Sequence, residues 1–245
     1  FILVKIIQDD ILYKKEAFIS LVYINKEYRN QGLGFNLFEN VLVKLKNLGI
    51  SKIHLGKGID PLFCGVPVEN TNHEFFEKIG FKKQGISTDL HLGKASFQPL
   101  ELRKKIPYNI KVATIEDFPK LESFFIENFP GRWLYEFTDY MQKGYKGDEF
   151  VIITIGEDII GFCRVNSEKH SVNMHNTNWS KPFSNLYGVG PLGIAKYFQS
   201  NSLGYDITAF AVNLAFTRGA SDIIIDWTSK VDFYKKLGFS TYQNY

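Results

Sequence analysis

A hexapeptide near the start of the chain has the composition of an anion-binding turn. Arg29, Gly32 and Gly34 lie between the β-branched and aromatic stretch 18–24 and an apolar stretch of helical period that ends at Gly49. A glycine turn at the start of a helix exposes backbone N–H groups at the positive end of the helix dipole, which favours a phosphate as the ligand. The alternative is an ordinary tight turn. The loop is not a nucleotide P-loop, because no Lys-Ser/Thr pair follows the second glycine, and it lacks the third glycine of a dinucleotide fold.

Most of the chain consists of two copies of a longer sequence pattern that contains this glycine turn. The segment "EYRNQGLG" at 27–34 corresponds to "YFQSNSLG" at 197–204, and "HEFFEKIGFKKQG" at 73–85 corresponds to "VDFYKKLGFSTYQ" at 231–243. Each half reads as strand, glycine turn, helix, strand, short helix, Gly-Phe and strand. Because parallel strands connected through a helix form α/β sheets, we expect an α/β fold of two similar modules, each a mixed central sheet flanked by helices.

The two halves differ in completeness. The second has an additional strand, two helices and a hairpin before its glycine turn, whereas the first begins at Phe1 within a strand pattern, so that a preceding portion is expected. We predict a partial first module at 1–94, a linker without clean period at 95–107, and a second module at 108–245. The polar and aromatic segment 167–186 has no period, and a long excursion of this kind is more often functional than filler.

The composition of the chain argues against several classes of function. Its 245 residues carry a formal net charge of +3 without clusters, which indicates neither a nucleic-acid nor a membrane partner. No apolar run reaches the length of a transmembrane helix. Cys64 and Cys163 lie far apart in unlike contexts, so we expect two buried, reduced thiols and a cytoplasmic protein. His170 and His175 lack the cysteine or carboxylate neighbours typical of zinc sites, and no metal is predicted.

These motifs together resemble the GNAT acyltransferase superfamily. The family's loop, Arg/Gln-x-x-Gly-x-Gly/Ala, is matched by residues 29–34 and, with Ser202 in place of the first glycine, by residues 199–204. Its later signature, Phe-Tyr-x-x-x-Gly-Phe, is matched at 233–239, and at 75–81 except for a phenylalanine at the tyrosine position. The tandem order is similar to that of mycothiol synthase and the bacterial glucosaminide N-acetyltransferases.

The resemblance implies acetyl-CoA as the cosubstrate and two GNAT-like modules that hold it. In the family, the strand before the loop separates from its neighbour and offers backbone N–H groups to the thioester, while the loop binds the pyrophosphate. In the second half the implied cofactor-binding residues are Leu192, Gly193, Ile194, Gln199, Ser200, Asn201, Ser202, Leu203 and Gly204. In the first half they are Val22, Tyr23, Ile24, Arg29, Asn30, Gln31, Gly32, Leu33 and Gly34.

The halves differ at the two positions where acetyl transfer to an amine needs a base and an acid. Only a neutral amine has a lone pair with which to attack, and the departing thiolate benefits from a proton. Aligning the repeats places Gly56 opposite Asp226 and Phe76 opposite Tyr234. Asp226 ends an apolar strand, a setting that raises a carboxyl pKa and makes a better base, and the resemblance implies Tyr234 as the acid. The alternatives are a helix cap at the first position and a core aromatic at the second.

The acceptor is less clearly indicated. Arg132, Trp133, His175 and Trp179 are candidates to line its pocket, since aromatic rings stack on sugar faces, although each is individually typical of surface or core. The favoured acceptor is a small-molecule amine, in particular an amino sugar. The alternative acceptors are a protein amine and an aminoglycoside-like antibiotic. The alternative to an enzyme is a non-catalytic acyl-CoA sensor. The oligomeric state is left open.

Overall fold

The chain forms two compact units. A computed structural model describes residues 1–7, 12–59, 61–69, 73–167, 182–199 and 201–245. One unit comprises residues 1–87 with 243–245, and the other comprises residues 88–242.

The first unit contains a three-stranded sheet and two helices. Strands β1 (Ile2–Ile6), β2 (Glu16–Val22) and β3 (Lys52–Leu55) lie side by side in that order, with β1 antiparallel and β3 parallel to β2. Helix α1 (Leu33–Asn47) connects the two parallel strands, and α2 (His73–Ile79) follows β3. The predicted crossover from a strand through a glycine turn and a helix to a parallel strand is confirmed.

The second unit is built on a seven-stranded sheet. Its elements in chain order are β4 (Thr88–Gly93), β5 (Asn109–Val112), α3 (Phe118–Asn128), α4 (Arg132–Gln142), β6 (Phe150–Ile155), β7 (Asp158–Ser167), β8 (Leu186–Ile194), α5 (Leu203–Thr217), β9 (Asp222–Thr228), α6 (Val231–Lys235) and β10 (Ser240–Asn244). The strand order is β10-β4-β9-β8-β7-β6-β5. Strands β8 and β9 are parallel and are connected through α5, whereas β4 with β9 and the neighbours from β5 to β8 are antiparallel.

Helices pack against both faces of this sheet, because successive side chains along each strand point to opposite faces. Along β6, Val151 and Ile153 belong to the core shared with α5, whereas Phe150 and Ile152 belong to the aromatic core shared with α3 and α4. Because α5 is covered on nearly all sides, its interior positions are small or apolar, including the fully buried Ala209, Ala211 and Ala215. The predicted α/β architecture is confirmed.

The boundary between the two units differs from the predicted one because of the pairing of one strand. Strand β4 ends the first repeat in sequence, yet it pairs with β9, so the units separate between Ser87 and Thr88 rather than after residue 94. Conversely, residues 243–245 belong to the first unit. Strand pairing is a long-range interaction, and the local residue pattern of β4 does not specify its partner.

The segment predicted as a linker, 95–107, packs against α5. Asp206, fully buried in the first turn of α5, accepts hydrogen bonds from the backbone N–H groups of Arg103 (2.7 Å) and Lys104 (3.2 Å) and from the hydroxyl of Tyr108 (2.9 Å). The segment is therefore an integral part of the second unit, since these bonds satisfy both oxygens of a buried carboxylate.

Candidate active site

The second unit opens between strands β8 and β9. These parallel strands pair only from Leu186 to Gly188 and from Asp222 to Ile224, although β8 continues to Ile194. Beyond Gly188, the described residues of β8 pair with β7 alone. Open α/β sheets bind ligands at the carboxyl ends of parallel strands, which is where this opening lies.

Two backbone N–H groups of β8 face the opening. The N–H of Ala195 donates to the carbonyl of Ile160 next to β8 at 2.9 Å, and hydrogen bonds alternate along an antiparallel pair. This alternation directs the Gly193 N–H to β7 and turns the N–H groups of Leu192 and Ile194 away from it. Of the three β8 residues implied by the resemblance, Leu192 and Ile194 therefore offer donors to a ligand, whereas the donor of Gly193 belongs to the sheet.

The side chain of the first residue of each glycine turn hydrogen-bonds to the chain at the end of the preceding strand or just beyond it. In the second repeat, Nε2 of Gln199 donates to the carbonyl of Ile194 at 3.1 Å. In the first, Nε of Arg29 donates to the carbonyl of Ile24 at 2.8 Å. Arginine and glutamine are equivalent at this position because the bond needs a single N–H donor on a long side chain.

Ser202 adopts the backbone conformation of the glycine that it replaces. Its φ and ψ are 63° and 5°, compared with 77° and −8° for Gly32. The following residue, Leu203 or Leu33, begins the helix in each repeat. Both helix starts therefore present their backbone N–H groups alike, and both fit an anionic group such as the pyrophosphate of CoA.

Asp226 lies on β9 just beyond the last residue that pairs with β8, Ile224, and so beside the opening. Asp226 is a partly buried residue. The pKa of Asp226 is raised to about 7, first by burial and then by the negative charges of Asp89 and Glu136, while the charge of Arg132 partly offsets the rise. A carboxyl group with this pKa can accept a proton near neutral pH.

Tyr234, on α6, is 8% exposed. Burial raises the pKa of its phenol above the ordinary value, and the neighbouring Cys163 and Asp226 add to this effect. The phenol therefore remains protonated in neutral solution. Burial also raises the pKa of the Cys163 thiol to about 12, which makes it a packing residue and not a nucleophile. Cys64 and Cys163 are both buried, as predicted, and form no disulfide in this structure.

Helix α4 places a charged pair beside Asp226. Nε of Arg132 donates to Oε1 of Glu136 one turn along the helix, and these side chains are only 18% and 12% exposed. The guanidinium carbon of Arg132 lies 4.7 Å from the ring centroid of Trp227, a cation–π contact. Arg132, predicted to bind the substrate, thus lies where it acts on the charge of Asp226.

The other predicted substrate-binding residues are placed differently. Trp133 contacts Phe129 and Phe162, with ring centroids 4.9 Å and 5.5 Å apart, and packs against the aromatic core. His175 and Trp179, together with the loop residue Ser200, lie outside the residues that the structure describes.

Three residues beside Asp226 were not predicted: Asp89, Glu136 and Trp227. Glu136 could have been found from its four-residue spacing to Arg132 on a predicted helix. Trp227 adjoins Asp226 in sequence. Asp89 had no local signal, because it precedes its β9 partner Trp227 by 138 residues.

The first unit has no space for a carboxylate at the position equivalent to Asp226. Gly56 has a φ of 70°, and a Cβ there would lie 2.5 Å from the carbonyl oxygen of Phe63 and 2.7 Å from the backbone nitrogen of Gly65. At the position of the candidate acid, Phe76 packs against Phe38 with ring centroids 6.0 Å apart. The difference between the repeats, inferred from sequence, therefore has a steric cause at the first of these positions.

Two further observations concern only the described ranges of the chain. No three His, Cys, Asp or Glu side chains within them gather as a metal site requires. None of the helices within them combines the length and the apolar composition that crossing a membrane requires.

Comparison with known proteins gives a family match for the first part of the chain and fold matches for all of it. Residues 1–81 match the sequence profile described as "Acetyltransferase (GNAT) family". No curated protein matches the chain.

The solved structures that share the fold include the following three. A fungal multi-domain GH3 β-N-acetylglucosaminidase contains a region described as a GCN5-related glucosamine N-acetyltransferase; it matches 100% of this chain and 30% of that one, with 20% identity and a TM-score of 0.87. A GCN5-related N-acetyltransferase from Sphaerobacter thermophilus matches 96% of this chain and 73% of its own, with 12% identity and a TM-score of 0.67. A tandem GNAT protein from the clavulanic acid biosynthesis pathway matches 94% and 73%, with 12% identity and a TM-score of 0.59.

The present chain thus spans 30% of the length of the fungal protein. Sequence identities of 12–20% establish the fold, while the profile match adds sequence evidence for the first unit. The resemblance identified from the motifs is thereby supported by the GNAT profile for residues 1–81 and by the fold for the whole chain, and acetyl-CoA is the acyl donor of the family that the first 81 residues match.

Proposed function

We propose that the second unit transfers an acetyl group from acetyl-CoA to the primary amine of a small molecule, with Asp226 as the general base and Tyr234 as the acid. The observation that carries this proposal is the position of Asp226, whose pKa is raised to about 7, beside the opening that the N–H groups of Leu192 and Ile194 face. When bound, acetyl-CoA would supply the acetyl thioester and a thiol as the leaving group.

Asp226 would remove the proton that keeps an amine inert. An amine is mostly an ammonium ion at neutral pH, and a carboxylate that titrates near 7 is a stronger base than an ordinary one. The carboxylates of Asp89, Glu136 and Asp226 also give this end of the sheet a negative charge that Arg132 only partly offsets. An ammonium group would therefore be attracted to the base that deprotonates it.

The N–H groups of Leu192 and Ile194 would stabilise negative charge on a bound carbonyl oxygen. Preorganised backbone donors of this kind need no reorganisation when the charge develops. The glycine turn at 199–204 and the start of α5 would bind the pyrophosphate through the same type of group.

Tyr234 would act chiefly as a hydrogen-bond donor to the leaving sulfur. Its pKa is raised above the ordinary value, so the phenol keeps its proton until a strong acceptor arrives. Complete transfer to a thiolate whose conjugate acid has a pKa of about 8.5 is uphill, so the main contribution is a charge-assisted hydrogen bond.

An amino sugar is the favoured acceptor. Trp227 places an indole beside Asp226 with Arg132 over its ring, and the apolar face of a sugar stacks on indole while its hydroxyls find polar partners. The fungal region of the same fold is described as a glucosamine N-acetyltransferase, which is consistent with this choice.

The test is to measure thiol release from acetyl-CoA with glucosamine, its oligomers, an aminoglycoside and a lysine-containing peptide. We expect the glucosamine compounds to give the highest kcat/KM, and Asp226→Asn to lower kcat about 10²–10⁴-fold, the usual range for a general base. Asp222→Asn is the matched control, since it removes a carboxylate of the same strand that pairs with His91 at 2.7 Å.

The possible outcomes separate the alternatives. Preference for the peptide or the aminoglycoside would overturn the acceptor but keep the chemistry. CoA binding by calorimetry without turnover of any amine would overturn catalysis and support a sensor. Normal turnover by Asp226→Asn would show that this carboxylate is only a structural cap.

A further inference from the structure

Asp89 stands at an irregularity of the sheet next to Asp226. Strand β4 pairs with β9 through Thr88 and Thr228 and again through Leu90 and Ile225, with a register shift between them. One β4 residue, at position 89, therefore lies opposite two β9 residues, at positions 226 and 227. This is a β-bulge, a feature that re-aims side chains and is common beside active sites.

The bulge depends on an unusual backbone conformation at Trp227. Its φ is 50°, in the left-handed region that a residue with a bulky side chain rarely adopts. The backbone N–H of Trp227 donates to Oδ1 of Asp89 at 2.8 Å, and Asp89 is fully buried. A partly buried N–H in an irregular strand needs such an acceptor, because it does not take part in the regular ladder of the sheet.

We propose that Asp89 is a positioning residue for Asp226: by accepting the Trp227 N–H it holds the β9 bulge that aims the Asp226 carboxylate at the opening. The proposal rests on the proposed function in taking Asp226 as the base. Strand β4 belongs to the first repeat in sequence, whereas the carboxylate of its Asp89 serves the second repeat. A second repeat expressed from residue 108 onward would lack it.

Asp89 also acts on the charge of Asp226. Among the residues that the structure describes, the charged and titratable groups that act on Asp226 are Asp89 from β4, Arg132 and Glu136 from α4, and Tyr234 from α6. After burial, the negative charge of Asp89 is the largest contribution that raises the pKa of Asp226. Asp89 thus has two separable roles, one through its hydrogen bond and one through its charge.

Two variants of the full chain separate these roles. Asp89→Asn keeps an oxygen acceptor for the Trp227 N–H and removes the charge. We expect amide exchange at Trp227 to remain within about twofold of wild type, while the titration of Asp226 moves to lower pH. Asp89→Ala removes both, and we expect exchange at Trp227 to accelerate at least tenfold.

Both readouts are made on the ligand-free protein, by amide hydrogen exchange and by carboxyl NMR titration of isotopically labelled aspartate. The pH profile of kcat/KM with acetyl-CoA and glucosamine adds a third: its acidic limb should move to lower pH in Asp89→Asn. His91→Asn is the matched control. It removes another β4 side chain that hydrogen-bonds to β9, at 2.7 Å, and it should move neither the Asp226 titration nor the exchange at Trp227.

Wild-type exchange at Trp227 in Asp89→Ala would overturn the positioning role, and wild-type titration of Asp226 in Asp89→Asn would overturn the effect of the Asp89 charge. If Asp89→Ala fails to fold, Asp89→Val, which likewise offers the Trp227 N–H no acceptor, replaces it in the exchange measurement. If Asp226→Asn retains full turnover, the proposed function fails, yet exchange and titration still report whether Asp89 holds the bulge.

Discussion

The substitution Asp226→Asn should make the protein more stable at alkaline pH while it removes activity. The pKa of Asp226 is raised from 3.8 to about 7, so the native state holds this proton more tightly than the unfolded chain. With the pKa raised on folding, stability falls as pH rises from about 4 to about 7, and the full penalty applies above 7. Asparagine carries no charge and escapes the penalty.

The magnitude follows from the size of the rise. A change from 3.8 to about 7 corresponds to roughly 4 kcal/mol at 1.36 kcal/mol per pH unit. This is an upper limit, because Asp226 is only partly buried and asparagine does not reproduce a protonated carboxyl group. We expect a gain of roughly 2–4 kcal/mol at pH 8 that shrinks below about 1 kcal/mol at pH 4, where the wild-type carboxyl is protonated in the native state and roughly two-fifths protonated in the unfolded chain.

Urea denaturation of wild type and Asp226→Asn at pH 4, 6 and 8 measures this difference. Asp222→Asn, on the same strand, should show no gain at pH 8, since it breaks the pair with His91. A pH-independent stability difference for Asp226→Asn would refute the reasoning, because it would mean that folding does not perturb this carboxyl group. Stability gained where activity is lost is the expected mark of a functional group held in an unfavourable setting.

Three further predictions follow from the same geometry. Tyr234→Phe should lower kcat about tenfold or more with CoA affinity unchanged, while Phe76→Tyr should leave turnover unaltered. Steady-state kinetics measure the turnover and calorimetry the CoA affinity, and a large rise in the CoA dissociation constant of Tyr234→Phe would contradict the role of the phenol. Gly32→Glu should reduce the number of CoA sites per chain from about two to one without affecting turnover, and a single site in wild type would show that the first turn does not bind CoA. Asp206→Ala should cost about 3 kcal/mol of unfolding free energy, since three donors lose their acceptor, and a loss below about 1 kcal/mol would show that the 95–107 segment adds little.

Local elements were predictable because their determinants are close together in the sequence. The glycine turns at 29–34 and 199–204 each lie between a strand pattern and a helix pattern, and turn conformation depends on a few adjacent residues. Even Ser202, which departs from the glycine pattern, is held in the left-handed conformation by the same strand-to-helix context as Gly32. Because the chain contains two copies of the repeat, they could be aligned with each other, and Asp226 in the second copy corresponds to Gly56 in the first.

The sequence by itself thus determined the two α/β repeats, their glycine turns and the candidate acid and base. Only the tertiary structure decided what surrounds Asp226. Strand pairing depends on backbone hydrogen bonds that any residue pattern of the right period can make. The residues near Asp89 therefore did not indicate that it would lie beside Trp227, 138 positions later. The pKa of Asp226 depends on that pairing and on the position of α4, because desolvation and charge act through space and not along the chain.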